Sequence, residues 1–152
     1  MSMLYLDNAA TTPVRPEVLE AMMPFLTRWY GNPSSHHTVG EAAAGALADA
    51  RARVARILGM RAGDIVFTSG GTEANNLAVK GIAIAAHVRR GASHVITSAI
   101  EHESILESVD YLARIHGFSV SRLPVDGAAR IDPGDVAGAL REDTALVSVG
   151  YA

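Results

Sequence analysis

From residue 65 onward the chain alternates short β-branched apolar runs with longer stretches of helical spacing. That alternation narrows the choice of folds more than any other feature. Ile65–Thr68 reads as a strand leading to a helix over Glu73–Val88. His94–Ser98 reads as a strand leading to a helix over Ser104–His116, with Ser104 and Glu107 spaced as a capping box and Gly117 placed to end it. Phe118–Arg122 leads through the turn sequence Pro124-Val125-Asp126-Gly127 to a short helix near Pro133–Leu140, and Ala145–Val149 is the last strand. Strands joined through helices pair in parallel, and a parallel sheet buries both its faces. The expected class is therefore α/β, a mostly parallel sheet with helices on both faces.

Residues 1–60 are organised differently. Leu4-Tyr5-Leu6 is a short extended segment, and Asp7–Pro13 and Gly31–Ser35 read as loops. Pro16 suits the first position of a helix. Val18, Leu19, Met22, Leu26 and Trp29 keep helical spacing, with Pro24 expected to kink or break it. Thr38 and Glu41 fit a second capping box, followed by the apolar stripe Leu47, Ala50, Val54, Ile57 and Leu58 and a stop at Gly59. The chain is thus expected to divide into an amino-terminal loop and helical segment, 1–60, and an α/β segment, 61–152.

Bulk properties weigh against several function classes. A net charge of −3 over 152 residues gives no electrostatic footprint for nucleic acid. There is no cysteine, which excludes disulfides and thiolate metal sites, and no helical histidine pair has ligand spacing, so no metal is expected. No run is long and apolar enough to span a membrane. The start, Met1-Ser2-Met3-Leu4-Tyr5-Leu6-Asp7, has no basic stretch before an apolar core, so neither a membrane nor a signal peptide is expected, and the expected location is the cytoplasm. Lys80 is the only lysine beside twelve arginines, which gives any lysine-dependent chemistry a single candidate position.

In open α/β sheets, ligands bind outside the carboxyl ends of the strands. Three segments fall there: Ser69–Glu73, Ala99–Glu103 and Gly150-Tyr151-Ala152. The first has the layout of a phosphate cradle. Gly70 and Gly71 let the backbone approach an anion, Thr72 is placed to cap the following helix, and the first-turn N–H groups face the ligand with about half a positive charge behind them. An ordinary glycine turn with a threonine cap fits the same residues. Neither a Gly-Lys-Ser/Thr run nor a G-x-G-x-x-G pattern is present. In the second segment His102 stands between Glu101 and Glu103. It is either part of a solvated polar loop or an imidazole able to lie flat on a planar ligand and move protons near neutral pH. His36 and His37 fall in a loop, and His87, His94 and His116 at element ends.

Taken together, Leu6–Pro13, Gly31–Ser35, Phe67–Asn76 and Glu101-His102 resemble the amino-terminal portion of a cysteine desulfurase, a class V, fold-type I pyridoxal-phosphate enzyme. The resemblance spans essentially the whole chain, with the segments in the family's order. It implies that residues 61–152 are the first part of a cofactor-binding large domain and that the cofactor is pyridoxal 5'-phosphate. Gly71 and Thr72 would hold its phosphate through backbone N–H groups and the Thr72 hydroxyl, each charge-assisted bond contributing about 1.5–3 kcal/mol. His102 would be catalytic, stacking on the pyridine ring and helping to shuttle protons. Asn8 and Ala9 would lie near the substrate mouth, and Asn32–Ser35 near a dimer interface and the active-site entrance. The implied reaction takes sulfur from L-cysteine, leaving L-alanine and an enzyme-bound persulfide for iron–sulfur cluster assembly or tRNA thiolation. The implied partners are L-cysteine, a sulfur-acceptor protein and, in the complete enzyme, a second copy in a homodimer.

Members of that family are well over twice as long. Past the position of Ala152 they carry an Asn-Asn-Glu segment, an Asp for the pyridine nitrogen, the Schiff-base lysine and the nucleophilic cysteine. Lys80 is no substitute: it lies eight residues beyond Thr72 on the same helix, roughly 12 Å down the axis, and is expected to be a solvated charge. The expectation is an amino-terminal piece, inactive alone, with exposed apolar strand edges and a complementing carboxyl-terminal chain as a partner. Two alternatives stand beside it: another class V pyridoxal-phosphate aminotransferase or lyase, and a non-catalytic domain that binds a phosphate ligand or a partner.

Overall fold

The computed structural model describes residues 4–151; Met1, Ser2, Met3 and Ala152, on which the reading of the extreme start and the last residue of the third loop fall, lie outside the described residues. The chain forms two compact units, one up to Val66 and one from Phe67.

In the first unit, α1 (Pro16–Thr27) begins with proline at its first position, as expected. It continues through Pro24 and ends before Trp29, whose N–H, with that of Arg28, donates to the Pro24 carbonyl at 2.8 Å. α2 (Thr38–Leu58) is capped by His37 rather than Thr38: Nδ1 of His37 accepts from the Gly40 N–H at 3.2 Å. An imidazole lone pair here does the work that the capping-box pattern assigns to the hydroxyl. Asn32 folds its own loop, its Oδ1 and carbonyl accepting from the N–H groups of Ser34 and Ser35 at 2.9 Å. That loop presses on the start of α2 so closely that glycine is required. A Cβ on Gly31 would lie 2.4 Å from the Val39 carbonyl oxygen, and one on Gly40 2.4 Å from that of Ser35.

A single 3-10 turn, Ala62–Asp64, precedes the run expected to be the first strand. Ile65 is extended, at φ −91° and ψ 123°, and its carbonyl accepts from Arg51 Nε at 3.1 Å. Ile65–Thr68 is nevertheless not a strand, because no described segment forms a ladder with it. The composition favours an extended backbone, but pairing needs a partner.

The second unit runs α3 (Gly71–Arg90), β1 (His94–Ser98), α4 (Glu103–His116), β2 (Ser119–Leu123), α5 (Pro133–Ala139) and β3 (Thr144–Ser148). The strands form one parallel sheet in the order β2-β1-β3. Central β1 is buried along its whole length. Val95 stands opposite Val120 and Leu146. These three pack with Val79 and Ala83 of α3 and Ile105, Val109 and Leu112 of α4, so α3 and α4 cover one face. Val147, next to Leu146 and so pointing the other way, lines a groove with Val149, with Val136 of α5 and with Leu140 at the end of α5. The two faces follow from handedness. The β1-to-β2 and β2-to-β3 connections run in opposite directions across the sheet, and right-handed crossovers then place α4 and α5 on opposite sides. The reversal also opens a switch point between the carboxyl ends of β1 and β3. None of the described helices is long and apolar enough to cross a membrane.

Candidate functional site

The cradle forms, with its cap in a different place. Gly70, not Thr72, is the N-cap of α3; it is fully extended, and its carbonyl already accepts from the Ala74 N–H at 3.1 Å. Thr72 is therefore the second residue of the helix and caps nothing. Gly71, Thr72 and Glu73 make up the first turn, whose N–H groups have no acceptor within the helix. The preceding loop is held from inside. Glu73 Oε2 accepts from both the N–H and the hydroxyl of Ser69 at 2.6 Å, and the Thr68 hydroxyl donates to the Gly70 carbonyl at 3.1 Å. The Ser69 hydroxyl, and after it the Ser69 N–H, hold the Glu73 carboxyl below the usual glutamate range. A Cβ built on Gly70 or Gly71 would meet nothing within 4 Å, so the space ahead of the helix is open to an anion.

His102 is both the candidate ring partner and the N-cap of α4, the place expected for Ser104. Its Nδ1 accepts from the Ser104 N–H at 3.0 Å and lies 2.8 Å from Ser104 Oγ. An amide N–H only donates, so Nδ1 carries the lone pair and the neutral ring keeps its proton on Nε2. Ser104 Oγ in turn accepts from Asn75 Nδ2 at 2.8 Å. Asn75 lies one turn beyond Gly71 on α3, so the imidazole is tied to the helix that forms the cradle. The third segment joins through Glu101. Its Oε1 accepts from the Ser98 hydroxyl at the end of β1 and from the Gly150 N–H beyond β3, both at 2.7 Å.

Gly71, Thr72, His102 and Gly150 are thus linked along one edge of the sheet. Asn8 and Ala9 lie in the first unit, in an exposed turn closed by the Ala10 N–H on the Asp7 carbonyl at 3.2 Å. The roles of Asn75, Ser104 and Glu101 were not foreseen, because each depends on a partner distant in sequence. His94 is more than an element end: it is fully buried at the opposite edge, with Nδ1 2.9 Å from Thr144 Oγ1 and Nε2 2.8 Å from Ser121 Oγ. Lys80 is not a solvated charge. It is half-buried, with Nζ 2.6 Å from Asn76 Oδ1 and 4.4 Å from the centre of the Tyr111 ring.

The family model described as aminotransferase class-V matches residues 4–152. The chain belongs to this family. It is 47% identical over 149 residues to the cysteine desulfurase IscS of Dictyoglomus turgidum, covering 98% of this chain and 37% of that protein. Among solved structures it is similar to a NifS-like protein, with TM-score 0.86 and 38% identity over 93% of this chain and 38% of the other. It is also similar to SspA in complex with cysteine, with TM-score 0.84 and 39% identity over 93% of this chain and 40% of the other. The chain therefore spans little more than a third of the length of the relatives it matches.

Proposed function

We propose that this chain supplies the phosphate-holding and ring-holding part of a pyridoxal-phosphate-dependent cysteine desulfurase. The observation that supports the reading most is the hydrogen-bonded link from Asn75 through Ser104 to His102, because it couples a phosphate cradle to an imidazole on the same edge. The open space ahead of Gly70 and Gly71 fits a phosphate. The cofactor, when bound, supplies an electron sink for the substrate's α-carbon. The N–H groups of Gly71 and Thr72 and the Thr72 hydroxyl hold the phosphate. The exposed ring of His102 would face the cofactor and hold or release a proton at Nε2. Asn8 and Ala9 line the substrate mouth. L-Cysteine is the substrate, L-alanine and a persulfide sulfur are the products, and a sulfur-acceptor protein receives the sulfur. The Schiff-base amine and the thiol that this chemistry needs come from polypeptide other than these 152 residues, which contain no cysteine. A homodimer in the cytoplasm completes the proposal, as does assignment of the α/β segment to the cofactor-binding domain.

The test uses the full-length protein. Pyridoxal phosphate uptake is followed by visible absorbance, and sulfide and alanine are measured after L-cysteine is added. Thr72→Val removes one charge-assisted bond of about 1.5–3 kcal/mol and is expected to weaken cofactor binding about 10- to 150-fold. His102→Gln is expected to lower sulfide and alanine release together. Amino transfer without sulfide would move the protein to another class V activity. Binding of neither cofactor nor cysteine would leave a non-catalytic domain.

A further inference from the structure

Ser104 Oγ has one proton and two polar neighbours, Asn75 Nδ2 and His102 Nδ1, each at 2.8 Å. The Asn75 amide nitrogen only donates, so it takes an oxygen lone pair and leaves the hydroxyl proton for the imidazole. The Ser104 N–H converges on the same Nδ1 at 3.0 Å. We propose that Asn75 is a positioning residue that acts through Ser104 to reinforce the acceptor state that the Ser104 N–H sets on Nδ1 of His102, leaving Nε2 as the ring's single N–H donor. The proposal rests on the reading of His102 as the residue that faces the cofactor.

The alternative tautomer would set a ring N–H against the Ser104 N–H and break the cap of α4. Ser104 is buried, so no solvent is available to replace the lost bonds. Because Asn75 belongs to α3 and the cap to α4, the ring is oriented by the cradle helix as well as by its own loop. On the other side Glu101 pins that loop to Ser98 and Gly150. Proton transfer at His102 is thereby confined to Nε2, the ring atom that carries no bond to the scaffold's capping turn.

A link that merely joined two helices would survive Asn75→Asp, which still reaches Ser104 Oγ. A carboxylate, however, only accepts. It draws the Ser104 proton towards α3 and turns an oxygen lone pair towards Nδ1, which then favours being protonated. The experiment is solid-state 15N spectroscopy of the sedimented, cofactor-free full-length protein labelled in histidine, with the His102 signals assigned by their loss in His102→Gln. Wild type is expected to show a proton-free Nδ1 and a protonated Nε2. Asn75→Asp is expected to raise the fraction of molecules with a protonated Nδ1 measurably above wild type. The same substitution in a Ser104→Ala background is expected to keep the wild-type pattern, because the relaying oxygen is gone while the backbone N–H remains. An unchanged pattern in Asn75→Asp, or an equal shift in both backgrounds, overturns the proposal. So does a protonated Nδ1 in wild type, whether or not the variant folds. None of these spectra needs pyridoxal phosphate. If the relay behaves as stated and the absorbance titration shows no uptake, the relay stands and the cofactor reading falls.

Discussion

Removing the Glu101 carboxylate should loosen the exit of β3 in two separable steps. Both of its hydrogen bonds fall on one oxygen, Oε1, which accepts from Ser98 Oγ and from the Gly150 N–H. The amide oxygen of Glu101→Gln can take that oxygen's place and keep both donors, losing only the charge. A hydrogen bond to a charged group contributes about 1.5–3 kcal/mol and a neutral one about 0.5–1.5 kcal/mol, so the loss is about 1 kcal/mol per bond. Gly150 is exposed, which puts its bond at the low end of that range. Glu101→Ala removes the bond altogether and leaves the fully buried Ser98 hydroxyl without its acceptor.

The assay is amide hydrogen exchange of the full-length protein, read at Gly150. Local opening there is governed by the bond to Glu101, so a tenfold rise in exchange corresponds to about 1.4 kcal/mol. Glu101→Gln should raise exchange about 5-fold and Glu101→Ala about 10- to 30-fold. The Val95 amide in the central strand reports any global loss of stability and serves as the reference. Equal exchange at Gly150 in all three proteins, after that correction, would refute the claim that this carboxylate ties the β1 loop to the β3 exit.

His94 is held below the usual histidine range by burial first and by the charge of Arg141 second, against the opposing pull of Asp143. The unfolded chain therefore takes up a proton that the native state refuses, and stability should fall as pH drops below about 6.5, with His94→Gln flattening that limb of a urea-midpoint profile. Glu73 is also held low, so the stability it contributes is present above the usual glutamate range and lost as pH falls through its lower native value. Glu73→Gln should flatten only this more acidic limb, measured the same way. Leu112 is fully buried between α4 and the sheet, and Leu112→Ala should cost about 2–5 kcal/mol in chemical denaturation while leaving the relay spectra unchanged.

The alternation that pointed to a parallel sheet was readable because it is local: β1 and the ends of α4 and α5 fall within one residue of the spans that apolar runs and turn residues suggest. Ile65–Thr68 shows where such reading stops. Its β-branched residues favour extension, but a strand exists only in a ladder, and nothing in a run's own composition supplies the partner. The candidate site divides along the same line. Gly71, Thr72 and His102 are candidates by residue type at the starts of α3 and α4, which is local information. Asn75 acts on a residue 29 positions away and Glu101 on one 49 away, and no local pattern encodes contacts of that range. Lys80 departs from the expected solvated charge for the related reason that spacing gives its distance from the cradle and not its seat on the Tyr111 ring.

The three displaced N-caps have a common physical cause. At His37, Gly70 and His102 the expected serine or threonine lies one or two residues inside the helix, while an imidazole lone pair or an extended glycine starts the turn. Capping rules favour hydroxyls because a short side-chain oxygen reaches the free N–H groups, but a histidine Nδ1 also reaches them, at 3.2 Å in His37 and 3.0 Å in His102. A hydroxyl that caps a helix commits one lone pair and its orientation to its own backbone. By leaving the cap of α3 to Gly70, the chain frees the Thr72 hydroxyl and the first-turn N–H groups to face outward. By giving the cap of α4 to His102, it frees Ser104 Oγ to receive Asn75 and fixes the imidazole by the very bond that starts the helix. The ring's orientation is then as rigid as the end of α4. Replacing His102 with Gln, which lacks a fixed acceptor at the Nδ1 position, should accordingly fray that end and raise exchange at the Ser104 and Ile105 amides, an effect that a histidine serving only as a solvated loop residue would not produce.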